Sequence, residues 1–352
     1  MKKFLSILII FTAGLGGFCL SLSCSQKSPS SPNNLQTAVS IVSSINPTLT
    51  FTPTPSPTNT ATVTPTSTIT ATPTPYESLT SWSGFSTPEA VAAYNDPVKG
   101  GLFIADTGHD QVVKYNFNGT IATGWGAGGK GKGKIPFNQP LAVAVDGGGN
   151  LYVVGGVPGV NKYDSSGNFL IQFTNVTFTN PQGVAVDGGG NIYVSDTQDE
   201  RIVKLNSNGG LVTSFGSSGA LTILSVGTPV PTAPHGLAVD YNNPANVAVA
   251  ASDNNIHIYN SVGYPLTTIP TASSVAFDNP RGVAYDTGNN LYVADMGYHQ
   301  VEEFANYALF ASPIVIFNNN GSLVSPTGVA VDSNGNIYVT DAGTGQVIPF
   351  TP

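Results

Sequence analysis

The chain has 352 residues, of which 9% are charged, with 40 glycines, 26 prolines and a formal net charge of −8. An acidic chain whose densest basic spot is Lys130, Lys132 and Lys134 argues against unaided binding to nucleic acid or to anionic lipid, since both need a basic face. The only cysteines, Cys19 and Cys24, lie in the first 24 residues; the rest can form neither a disulfide nor a cysteine-based zinc site, and must be held by an apolar core.

Residues 1–24, "MKKFLSILIIFTAGLGGFCLSLSC", place two lysines before an apolar run from Phe4 to Leu20 and then small residues. This is the three-part pattern of an export signal, and the run is short for a membrane-spanning helix. The ending "LSLSC" resembles the lipobox of bacterial lipoproteins, in which Cys24 would become the lipidated N-terminus. It departs from that pattern at Ser21, where leucine is usual, and Ser21 and Ser23 also suit an ordinary signal peptidase that would leave a secreted chain. The expectation is a lipid anchor at Cys24 in the bacterial cell envelope. Ser25, in place of the aspartate that often retains lipoproteins at an inner membrane, points to the outer membrane or surface.

Residues 25–75 contain one charged side chain, Lys27, and are otherwise rich in Ser, Thr, Pro and Asn. Such a segment cannot bury enough apolar surface to offset its ordering entropy, and repeated proline keeps it extended. It is expected to be a disordered, semi-rigid spacer ahead of one folded domain, residues 76–352.

That domain is written in a repeated phrase. "PQGVAVDGGGNIYVSD" begins at Pro181, "PRGVAYDTGNNLYVAD" at Pro280 and "PTGVAVDSNGNIYVTD" at Pro326, with looser copies at Pro88, Pro140 and Pro234. The spacings are 52, 41, 53, 46 and 46 residues, a range that belongs to propeller blades or solenoids. Phe85, Phe137, Phe178 and Phe277 stand three places before the proline, with Pro231 and Leu323 as departures.

Local chemistry chooses the propeller. "GVAVD" is a short apolar strand, "DGGGN" and "DSNGN" are hairpin turns, "IYVSD" is a second strand, "RIVKLN" a third and "GLVTSFG" a fourth. No long helical periodicity interrupts them. The predicted fold is all-β: a six-bladed β-propeller of four-stranded antiparallel blades. The last repeat stops after its third strand, "QVIPFTP", and "LTSWSGF" (Leu79 to Phe85) precedes the first repeat. An N-terminal strand is therefore expected to complete the last blade and close the ring, which removes the exposed sheet edges.

The phrase P-x-G-[VI]-A-V-D followed by G-N-[IL]-Y-V-x-D resembles the NHL-repeat family. Blades 3, 5 and 6 match best. Blade 1 departs at Ala90 and Asn95, blade 2 at Ala142 and Gly155, and blade 4 at Ala251. The resemblance implies the propeller but not an activity, because this fold hosts many.

Binding would be written at positions that vary on the repetitive frame. The middle residues of P-x-G are Glu89, Leu141, Gln182, His235, Arg281 and Thr327, and they should ring the mouth of the central channel. Five of these, Glu89, Gln182, His235, Arg281 and Thr327, are the candidate binding residues. Arg281, one of two arginines, suits an anionic group such as a carboxylate. The recurrent aspartates that follow the first strand (Asp146, Asp187, Asp240, Asp286, Asp332) and end the second (Asp106, Asp196, Asp295, Asp341) read as turn-fixing residues. They stand one per blade, too far apart for a calcium site. Of the four histidines, His299 and His109 read as loop residues, His257 as packing, and His235 alone points to the axis. "GAGGKGKGK" (Gly126 to Lys134) lacks the Ser or Thr and the helix that a phosphate loop needs.

No cofactor and no catalytic residue are expected. The leading expectation is a monomeric, surface-tethered, non-enzymatic module that binds an extracytoplasmic protein, peptide or glycan and touches the membrane through its N-terminal lipid only. Resemblance to six-bladed amidating lyases offers the alternative of a metal-dependent lyase or lactonase with its site at the central channel.

Overall fold

The computed structural model describes residues 76–126, 133–157, 159–224, 231–240, 246–269, 276–305, 315–318 and 321–352, together with the backbone of four short N-terminal strands. The chain divides into two units, residues 1–73 and 74–352. In the first unit, β1 (Leu8–Gly14) pairs with β2 (Gly17–Ser23) and β3 (Phe51–Thr54) with β4 (Thr62–Pro65), both antiparallel. Cys24, most of the 25–75 spacer, and Lys130 and Lys132 lie outside the described residues.

The second unit is a ring of six blades. Blade 1 holds β7 (Pro88–Tyr94), β8 (Gly101–Asp106), β9 (Gln111–Tyr115) and β10 (Lys134–Pro136); blade 2 holds β11 (Pro140–Val145), β12 (Leu151–Gly155), β13 (Val160–Tyr163) and β14 (Phe169–Phe173). Blade 3 is β15 (Pro181–Val186), β16 (Ile192–Asp196), β17 (Arg201–Leu205) and β18 (Ala220–Thr222). Blade 4 is β19 (Pro234–Val239), β20 (Val247–Ala251), β21 (Asn255–Tyr259) and β22 (Pro265–Ile269). Blade 5 is β23 (Pro280–Tyr285), β24 (Leu291–Asp295), β25 (Gln300–Phe304) and β26 (Val315–Phe317). Blade 6 takes β27 (Pro326–Val331), β28 (Ile337–Asp341) and β29 (Gln346–Thr351) from the C-terminus. Its outer edge comes from the start of the domain: β5 (Glu77–Ser78) and β6 (Trp82–Ser83) both pair antiparallel with β29. The ring is closed by this N-terminal segment.

The first strand of each blade lies innermost and touches the first strands of its two neighbours all the way round, β27 against β7 included. Burial follows from that geometry. The described core divides into six apolar clusters, one between each pair of adjacent blades. Phe85, Phe137, Phe178, Phe277 and Leu323 each sit in the cluster between their own blade and the preceding one. The residue three places before the proline is thus the plug between blades. Both faces of a blade are covered, so β8, β12, β16, β20, β24 and β28 are buried at every position, and their sequences read as continuous apolar runs.

The recurrent aspartates fix turns. Asp187 Oδ1 accepts the backbone N–H groups of Gly189 and Asn191, while Oδ2 accepts the Asn191 amide at 2.8 Å and the Tyr193 hydroxyl at 3.1 Å. The same Asp–Tyr bond closes the hairpin in blade 2 (Asp146–Tyr152, 3.0 Å), blade 5 (Asp286–Tyr292, 3.3 Å) and blade 6 (Asp332–Tyr338, 3.1 Å). These tyrosines are buried, and the aspartate is what makes a hydroxyl tolerable there. The second set of aspartates fastens the loops entering blades 1, 3, 5 and 6. Asp106 accepts Ser86 N–H, Asp196 accepts Thr179 and Asn180 N–H, Asp295 accepts Asp278 N–H, and Asp341 accepts Val324 and Ser325 N–H.

Candidate ligand site at the channel mouth

The first strand of every blade carries a break in register just after its proline. Pairing of Pro140 with Gly155 resumes at Ala142, and the same shift occurs in blades 1, 3 and 6; in blades 4 and 5 two residues are skipped. A bulge takes a residue out of the ladder and re-aims it. The residues so released include, in each case, the middle one of P-x-G. Glu89, Leu141, Gln182, His235, Arg281 and Thr327 accordingly line one cavity of about 100 Å³ at the axis, over a floor of the small and branched residues that follow them. No Phe, Tyr or Trp lines it.

Glycine sets how closely these six positions approach. A Cβ on Gly183 would lie 2.6 Å from the His235 carbonyl oxygen, one on Gly236 2.3 Å from that of Arg281, and one on Gly282 2.6 Å from that of Thr327. In each pair the glycine of one blade rests on the carbonyl of the next blade's mouth residue. Hydroxyls add stitches across the same seams. Thr107 donates to the Pro140 carbonyl at 2.6 Å, Thr197 to that of Pro234 at 2.6 Å, and Ser195 to that of His235. Thr107 and Thr197 follow the second-strand aspartate in "DTGH" and "DTQD"; that Asp-Thr pair was the available signal for this role.

The mouth residues divide by what holds them. Thr327 is buried, and its hydroxyl donates to the Pro88 carbonyl at 2.8 Å, so it serves the seam between blades 6 and 1. Gln182, His235 and Arg281 form a chain across blades 3, 4 and 5: His235 Nδ1 is 3.1 Å from Gln182 Oε1 and 3.2 Å from Arg281 Nη1. One imidazole nitrogen cannot donate to the first and accept from the second. Arginine has only donors, so Nδ1 carries the lone pair and the proton sits on Nε2. Gln182, whose Oε1 faces Nδ1 at 3.1 Å, would donate to that lone pair after a half-turn of its amide. Burial, reinforced by the Arg281 charge, pushes His235 down to about 4, so it stays neutral at neutral pH.

Arg281 is the less satisfied of the two arginines. Arg201 is held by Asp196 and Asp199, each at 2.9 Å. Arg281 makes no salt bridge among the described residues, and its Nε–H is buried without a partner. Burial works against its charge and the Glu89 carboxylate supports it from a distance. Burial pushes the Glu89 carboxyl above the usual carboxylate range, and Arg281 draws it back only in part.

The other histidines lie elsewhere. His109 is exposed and bonds Asp106 at 2.9 Å, and His257 is buried in β21 against Asp253 at 3.1 Å. His299 has φ +56°, and the matching positions Asp110, Gly159, Glu200, Asn254 and Gly345 all have positive φ. The repeat therefore asks for a left-handed turn at this place, which six different contexts meet with five residue types. Among the described residues, no group of three or more His, Cys, Asp or Glu is placed to hold a metal ion.

The NHL repeat matches at residues 178–212, 277–304 and 323–348, in blades 3, 5 and 6. The domain is a six-bladed β-propeller, and three of its blades carry the NHL repeat. Two solved structures similar to this NHL propeller are a gluconolactonase from Xanthomonas campestris and a streptogramin B lyase. The first has a TM-score of 0.56 and 13% identity, covering 76% of this chain and 87% of that one. The second has a TM-score of 0.51 and 13% identity, covering 77% of this chain and 83% of that one. At this identity the likeness concerns the fold alone. No curated protein matches the sequence.

Proposed function

We propose that this NHL propeller is a non-enzymatic binding module that takes an anionic group of a peptide or protein segment at the mouth of its channel. The observation that supports it most is the state of Arg281. Its guanidinium is partly desolvated, held through one nitrogen by a neutral histidine, and left with unused donors in a cavity lined by residues that differ from blade to blade. A carboxylate can take two parallel hydrogen bonds from such a group. A glycan is the weaker candidate, because the mouth offers no flat aromatic ring for a sugar to stack on.

The test is capture of partners from the native envelope on immobilised protein, wild type beside Arg281→Ala. The partner retained by the wild type is expected to be held at least tenfold more weakly by the variant, about 1.4 kcal/mol. Melting should shift little, since a substitution outside core and caps costs under about 0.5 kcal/mol. Equal retention by a folded variant would move recognition from the mouth to the outer loops.

We further propose that the module is exported and tethered through a lipid on Cys24, with the proline-rich 25–75 segment as its stalk. The lipobox-like "LSLSC" supports this reading. Cys24→Ser should move the protein from the membrane fraction to the soluble one; an unchanged distribution would refute the anchor.

A further inference from the structure

Two opposite charges sit in the channel mouth without neutralising each other. Arg281 stands on blade 5 and Glu89 on blade 1, with blade 6 between them. The mouth residue of blade 6 is Thr327, whose side chain is turned into the seam and tied to the Pro88 carbonyl. Nothing from blade 6 therefore bridges the gap. No salt bridge joins Glu89 to Arg281, and Glu89 makes no hydrogen bond among the described residues. The two feel each other only as fields. On the far side, Leu141 of blade 2 is apolar and Gln182 of blade 3 is engaged with His235.

This arrangement discriminates by charge. A ligand that is only an anion gains at Arg281 but brings its charge toward the Glu89 carboxylate. A ligand that is only a cation suffers the reverse at Arg281. A neutral polyol leaves both half-buried charges without a counter-charge, and a desolvated charge without a partner is costly. A ligand that carries both signs supplies each with its partner.

We infer that the mouth binds a zwitterion, with its carboxylate on Arg281 and its ammonium on Glu89. This rests on the binding reading above and narrows it. The shared chemistry has two sources, a free amino acid or the end of a peptide whose last residue carries an ammonium, such as a C-terminal lysine. The cavity of about 100 Å³ admits a group of that size but not a folded surface.

The test uses the full chain and defined probes. One arm is the ω-amino acid series from glycine to 6-aminohexanoate, which varies the distance between the charges. The other is the tripeptide Ala-Ala-Lys with a free carboxylate. Each probe is paired with its amine-acetylated and its carboxylate-amidated form, and binding is read by saturation-transfer NMR and calorimetry. At least one parent should bind, and each blocked form of it should bind at least tenfold more weakly. Glu89→Gln should weaken the parent at least tenfold while leaving the acetylated form no weaker, and Arg281→Ala should weaken both. A series optimum favours the free source; binding by the tripeptide alone favours the peptide end. If acetylated probes bind as well as their parents, in an Arg281-dependent manner, the zwitterion is overturned and the anion site stands. If no probe binds and partner capture is indifferent to Arg281→Ala, both fail.

Discussion

Deleting residues 76–86 is expected to lower the melting temperature by more than about 10 °C, whereas deleting 25–75 should leave it nearly unchanged. The short segment closes the ring. Trp82 stacks on Tyr115 of blade 1 at 5.5 Å between centroids and 9° between planes, and also meets Tyr338 of blade 6 at 5.8 Å. Phe85 packs on Tyr115 at 5.3 Å, and Tyr76 packs on Phe317 at 5.1 Å with its hydroxyl 3.2 Å from that of Tyr292. Losing a buried aromatic costs about 3–5 kcal/mol. Phe85 is buried, and the half-buried Trp82 and Tyr76 together add a loss of similar size; at roughly 2–4 °C per kcal/mol, the response of a large domain, the sum exceeds the stated fall. The deletion also strips the outer edge of β29, which leaves an open strand and a tendency to associate. Thermal unfolding of the two truncations decides it: equal melting would mean that the ring does not depend on its N-terminal clasp.

Gly282→Ala should destabilise the domain by at least about 2 kcal/mol, the middle of the overpacking range. The new methyl would fall 2.6 Å from the Thr327 carbonyl oxygen and 2.7 Å from Gly328 Cα. Both are backbone atoms of the next blade, so no side chain can swing away. The ring would have to widen at the seam between blades 5 and 6, beside Arg281. Ala142→Gly, at the matching place in blade 2, should cost only about 0.5–1 kcal/mol, the ordinary penalty for glycine in a strand. Chemical denaturation of both variants measures the contrast. Equal effects would show that the axis has room to spare and that the glycines do not set its width.

The repeat made the fold readable because every blade faces the same constraints. A proline opens each inner strand, a plug such as Phe178 or Phe277 fills the wedge ahead of it, and an aspartate such as Asp187 satisfies both a turn and a buried tyrosine. Six approximate copies of those solutions leave few folds open. The clasp was readable by subtraction, since the last repeat lacks its fourth strand and a spare strand precedes the first. The candidate site was readable only as a set of positions. Variation at P-x-G showed that the fold does not dictate Glu89, Gln182, His235 or Arg281, and the structure brings all four to one cavity. Thr327 belonged to the same set, yet its hydroxyl is spent on the neighbouring blade.

What the sequence determined by itself was the periodic part: strand number per blade, blade number, turn chemistry and the way the ring closes. Each of these rests on contacts within one repeat or between repeats of the same kind, so repetition exposes them. What only the tertiary structure decided was which side chains meet across the axis. The bulge after each proline releases the residue that follows it, and glycines such as Gly236 and Gly282 let adjacent backbones touch. Residues 46 positions apart in the chain, His235 and Arg281, thereby come within 3.2 Å, while Glu89 and Arg281 share a cavity and stay unpaired. Whether two charges pair or only face each other depends on a few ångströms of ring geometry, set jointly by six blades, and no single repeat contains that distance.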